Sequence, residues 1–152
     1  MSKNKIEDIY NFLKLSDAIA TSGQPTQEQF QAIKEAGYQV VVNLALSESS
    51  NALRNEKQIV ENQGMKYVNI PVVWENPTLE NVTEFFSVME AIADKQVFVH
   101  CAANMRVSAF MYLYRCLHQG TSDEDAKKDL QKIWIPNEIW QNFIEQVISI
   151  KK

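Results

Sequence analysis

The 152 residues carry 15 Lys and Arg against 19 Asp and Glu, a formal charge of −4, and 45% of them are hydrophobic. That supplies the core of a single domain over 1–152, while the absence of a basic run excludes a general nucleic-acid surface. No apolar stretch reaches the length of a membrane span, and the amino terminus meets Glu7 and Asp8 before any apolar signal core, so the expectation is a cytoplasmic protein without a membrane partner.

In chain order, Ile6, Ile9, Tyr10, Leu13 and Leu15 are spaced as a short amphipathic helix, and residues 18–21 read as extended, before a turn at Gly23-Gln24-Pro25. Thr26 and Gln29 form a capping box for a helix that turns Phe30 and Ile33 inward and stops at Gly37. Residues 40–44 are a continuous apolar run, as in a central parallel strand. After a serine-rich loop, 52–63 suits a helix closed by Gly64, and 66–70 a strand. Thr78 starts a helix with Val82, Phe85, Phe86, Met89 and Ile92 on its buried side. Residues 97–99 read as a buried strand and 107–117 as a helix apolar almost all round. Beyond Gly120, Ser122 caps a polar helix, Pro136 fits a first helical turn, and Ile139, Phe143, Val147 and Ile148 give a closing helix.

The alternation predicts an α/β single domain with a mostly parallel central sheet flanked by helices on both faces. Ligands in such sheets collect at the carboxyl ends of the strands, where Asn43, Pro71 and Cys101 fall. A bridge between Cys101 and Cys116 is excluded if the intervening segment is helical, since the two are then about 15 Å apart along its axis. Cys116 reads as a small core residue, and two cysteines with two histidines at these spacings make a poor zinc site.

Chemistry concentrates in residues 100–108, His-Cys-Ala-Ala-Asn-Met-Arg-Val-Ser. Cys101 sits at a strand-to-helix crossover, where the first amides of a helix converge on an anion and favour a thiolate over a thiol. Ala102, Ala103, Asn104 and Met105 contribute backbone amides, Asn104 tolerating the left-handed backbone of a tight anion nest. Arg106 adds a planar fork for two oxygens of one anion. Phosphate, sulfate or vanadate fits such a loop.

This pattern resembles the cysteine-dependent phosphatases, whose signature is His-Cys, five residues, Arg, then Ser or Thr. Here four residues separate Cys101 from Arg106. The chain is more similar to a small bacterial branch with this shorter loop, the phosphatase-like domains related to the beta-lactamase-hydrolase-like proteins. Ser22-Gly23-Gln24-Pro25-Thr26, Val41-Val42-Asn43-Leu44, Ile70-Pro71-Val72 and His100 to Arg106 run in that family's order.

The resemblance implies a cysteinyl-phosphate formed on Cys101, with no metal or cofactor, and a phosphorylated small molecule or phosphoprotein as substrate, protein phosphotyrosine being one candidate. By the same resemblance His100 bonds backbone near the cysteine and holds the loop. Ser108 either donates to the sulfur or serves as a helix-surface or helix-backbone hydroxyl. The loop that supplies an aspartate acid in related enzymes has none here, and Glu75 is the substitute, with Trp74 as pocket wall or core. Ala45 and Leu46 follow Asn43-Leu44 where relatives carry an arginine. Rhodanese sulfurtransferases also use a cysteine loop with four intervening residues, so a Cys101 persulfide is an alternative. An inactive phosphate-binding module is a third reading.

Overall fold

A computed structural model describes residues 5–47 and 49–151. Five strands, β1 (Leu13–Lys14), β2 (Ile19–Ser22), β3 (Val40–Asn43), β4 (Lys66–Asn69) and β5 (Val97–His100), form one sheet in the order β1-β2-β5-β3-β4. All neighbours are parallel except β1 with β2. The expected α/β class and mostly parallel sheet are therefore present.

The helices are α1 (Gln27–Glu35), α2 (Glu56–Asn62), α3 (Leu79–Ala91), α4 (Met105–His118), α5 (Asp123–Ile133) and α6 (Glu138–Lys151). They divide between the two faces because each internal strand is buried on both sides. Val40, Val42, Val97 and Val99 pack with α3 to α6, whereas Val41 and Phe98 pack with Phe30 and Ile33 of α1 and Ile59 and Val60 of α2. Among the described residues no helix is long and apolar enough to cross a membrane.

Local signals mostly held. Thr26–Gln29 closes a reciprocal capping box, Thr78 makes another with Asn81, and Ser122 Oγ accepts the Asp125 amide. Gly37 and Gly64 lie in the left-handed region at φ 103° and 83°, where a side chain would be strained.

Three expectations fail. The segment expected as a helix over Ile6 to Leu15 is a single 3-10 turn, Ile6–Asp8, followed by β1. Asn11 at φ 51° turns the chain, so that Leu13 and Lys14 pair with Thr21 and Ala20 instead of continuing a helix. The helix expected over 52–63 begins only at Glu56, because residues 49–55 wind as turns and Asn51 reaches away to the Ala102 carbonyl. Pro136 precedes α6 instead of opening it: Asn137 Oδ1 accepts from the Trp140 amide, and the helix starts at Glu138. Ile139 then faces solvent, and Trp140, fully buried, takes the inward position.

Candidate active site

β5 and β3 end level with each other, His100 in register with Asn43 on one side and Ser22 of β2 on the other. The two-residue period sends consecutive side chains to opposite faces. Cys101 accordingly joins the core on the α3–α6 side, 1% exposed, while His100 lies beside the Phe30 ring on the α1–α2 side. Cys101 and Cys116 are both free thiols.

The chain then makes a loop that opens α4. The Cys101 amide donates to Ser22 O at 3.3 Å, and Asn104 precedes α4 in the left-handed conformation, φ 66°, as its residue type allows. The first bond of the helical ladder runs from Ser108 N–H to Asn104 O, 2.9 Å, so the amides of 105–107 lie ahead of the ladder.

Donors from outside the loop hold its carbonyls. The Ala102 carbonyl accepts from the Gln24 amide at 3.1 Å and Asn51 Nδ2 at 3.1 Å, and the Ala103 carbonyl accepts from Asn11 Nδ2 at 3.0 Å. His100 Nδ1 is 3.2 Å from the Cys101 carbonyl. Across a trans peptide the following N–H points the opposite way, and no peptide among the described residues is cis. Amides 102 and 103 are thereby turned away from these partners. Asn104 Nδ2 ties the loop to Asn11 O at 2.8 Å and Thr21 Oγ1 at 3.0 Å.

Arg106 is 7% exposed, and one guanidinium nitrogen donates to the Val72 carbonyl at 2.9 Å. Among the described residues no carboxylate pairs with it. A buried guanidinium held only by a carbonyl retains donors and positive charge for an anion. Val72 is itself fixed, its amide donating to Leu44 O at 3.0 Å.

The family model described as a DSP-PTPase phosphatase fused to NAD+ kinase matches residues 3–142. This chain belongs to that phosphatase family. A crystal structure of a DUF442 protein from Shewanella putrefaciens CN-32 is 35% identical, with 96% of each chain covered and a TM-score of 0.86. Two more distant structures share the fold. The core catalytic domain of the PP-IP phosphatase SIW14 from S. cerevisiae is 20% identical over 90% of this chain and 85% of its own, TM-score 0.75. TpbA of P. aeruginosa is 16% identical over 80% and 72%, TM-score 0.66. No curated protein matches.

On this phosphatase framework the remaining residues singled out from the sequence separate. Ser108, in the first turn of α4, donates its hydroxyl to Met105 O at 2.8 Å and accepts from Trp134 Nε1 at 3.1 Å, the helix-backbone arrangement of the two expected. Trp74 forms a three-ring cluster with Trp134 and Trp140, at centroid distances of 5.2 and 5.8 Å, with its carbonyl accepting from Trp140 Nε1. Glu75 follows on a turn closed by the Asn76 amide on Val73 O, and is exposed. The aromatic cluster thus fixes the stem of this loop and leaves its carboxylate in solvent.

The sequence reading missed a layer beneath the loop. Glu56 of α2, 4% exposed, lies 2.6 Å from His100 Nε2 and accepts from Asn43 Nδ2 at 3.2 Å and Gln24 Nε2 at 2.7 Å. Asn43 also donates to the Tyr67 hydroxyl, and Asn69 Nδ2 donates to the Asn43 and Ala45 carbonyls. Glu56 shares the inward face of α2 with Ile59 and Val60, and a charged residue on an apolar i, i+3, i+4 stripe was the available signal.

Proposed function

We propose that this chain is a metal-independent, cysteine-dependent phosphatase acting on phosphate monoesters, with protein phosphotyrosine as a candidate substrate. The observation that supports it most is the loop itself: Cys101 at a strand end, carbonyls 101–103 held by outside donors, and a buried Arg106 without a carboxylate partner among the described residues. The Cys101 thiolate attacks phosphorus, an S–P bond forms as the P–O bond to the leaving group breaks, and water then cleaves the cysteinyl-phosphate. Loop amides 102–105 and the Arg106 fork stabilise the equatorial oxygens as their charge grows. Glu75 protonates the departing oxygen, and His100 holds the loop without exchanging a proton with substrate. TpbA has been crystallised with phosphotyrosine and SIW14 with citrate, so the fold receives anions of both kinds in those proteins.

The four-residue spacing favours a second reading, sulfur transfer through a Cys101 persulfide. Hydrolysis of p-nitrophenyl phosphate in the presence of a chelator, with vanadate as inhibitor, tests the first. Cyanide-dependent release of thiocyanate from thiosulfate tests the second. Failure of both in a folded preparation that still binds phosphate would leave a binding module.

A further inference from the structure

Behind the loop, on the α1–α2 side of the sheet, lies a buried carboxylate that the proposed reaction does not touch. Gln24 and Asn43 donate to Glu56, His100 Nε2 shares a 2.6 Å hydrogen bond with it, and the Tyr67 hydroxyl adds a fourth bond. Burial alone would push its carboxyl pKa up, but His100 first, then Gln24 and Tyr67, outweigh it and hold the group below the ordinary carboxylate value.

The imidazole contacts fix a proton count. A carbonyl only accepts, so the 3.2 Å contact to Cys101 O requires a hydrogen on Nδ1. At 2.6 Å a further proton must lie between Nε2 and the Glu56 oxygen, whichever atom holds it. A neutral amide in place of Glu56 breaks this count. With its oxygen toward the ring it draws the imidazole hydrogen to Nε2 and leaves Nδ1 bare against the Cys101 carbonyl. With its nitrogen there, it meets the Asn43 amide donor.

We propose that Glu56 is a positioning residue for the phosphatase loop: through His100 it keeps Nδ1–H on the Cys101 carbonyl and so turns the Ala102 amide toward the bound anion. This rests on the phosphatase reading for its catalytic consequence, and on the hydrogen-bond geometry alone for its structural one. Glu56 joins the nucleophile loop to the strand-end residue Asn43 and to Gln24, whose own amide holds the Ala102 carbonyl. One carboxylate thus links the ends of β3 and β5 to the turn that follows β2.

The test combines imidazole nitrogen NMR of the full chain with turnover. The sequence has two histidines, so a His118→Asn background leaves His100 alone in the spectrum. The expected result is a protonated Nδ1 and a low-field proton in the Nε2 contact. Glu56→Gln should remove that low-field proton and slow p-nitrophenyl phosphate turnover per folded molecule by about tenfold or more. A bare Nδ1 with Glu56 intact overturns the proposal even if Glu56→Gln fails to fold, and so does a folded Glu56→Gln protein with full turnover. If the unsubstituted protein hydrolyses no aryl phosphate, the phosphatase reading fails separately. Inorganic phosphate protection of Cys101 from iodoacetate then reads the loop: weaker protection in Glu56→Gln supports positioning, and equal protection overturns it.

Discussion

Arg106 donates to the Val72 carbonyl through one nitrogen, and in the proposed mechanism its fork grips two phosphoryl oxygens. A lysine keeps the charge but offers no planar fork, so Arg106→Lys should lose about 10²-fold or more in kcat, close to Arg106→Ala. Steady-state kinetics of both variants check this, and near-normal Arg106→Lys would make the guanidinium a structural tie to Val72. Glu75 calls for a different contrast. If it is the acid, Glu75→Gln should slow substrates with poor leaving groups by about 10²-fold while sparing activated aryl phosphates. Equal losses for both classes would assign Glu75 to the stability of its turn.

Among the elements, the turn that follows β2 lies directly against the loop. Gly23 bridges to Ala103, and a Cβ there would sit 2.6 Å from Tyr10 Cδ2 and 2.8 Å from the Ala102 carbonyl. The tyrosine ring can swing aside, but the carbonyl belongs to the nest. Gly23→Ala should therefore weaken phosphate protection of Cys101 against iodoacetate, with the loss appearing before any large fall in thermal midpoint. Elsewhere the chain announces itself more plainly. β5, the loop and α4 were legible because their signals are contiguous: an apolar run, His-Cys, an arginine and an apolar helix. Asn104 was legible too, since its residue type suits the left-handed backbone it adopts. The first ten described residues were misread because Ile6, Ile9 and Leu13 fit a helical period equally well, and only the turn at Asn11 and pairing with β2 decide otherwise. Glu56 was hidden for another reason: its partners His100 and Asn43 lie 44 and 13 residues away. No local pattern encodes which strand ends a helix will cover.

For the molecule as a whole, the parallel sheet brings three strand ends to one edge and buries a charged group beneath them. The folded-state pKa of Glu56 is held below its ordinary value, so the stabilisation this group gives is present above that ordinary value and is lost as pH falls through the folded one. Urea unfolding of the native protein and Glu56→Gln should differ most near neutrality, and the gap should narrow in acid. A gap independent of pH would mean that the carboxylate is not held as an anion by its donors.

The family and the fold are those of phosphatases, and the proposed chemistry at Cys101 competes with sulfur transfer through the same short loop. Both reactions can be followed in one preparation, with p-nitrophenyl phosphate and with thiosulfate plus cyanide, against Cys101→Ser. The expected result is chelator-insensitive, vanadate-inhibited aryl phosphate hydrolysis that exceeds sulfur transfer and vanishes in Cys101→Ser. Sulfur transfer exceeding hydrolysis would contradict the phosphatase reading and leave the likeness to phosphatases as one of fold alone, and hydrolysis that survives Cys101→Ser would contradict the proposed nucleophile.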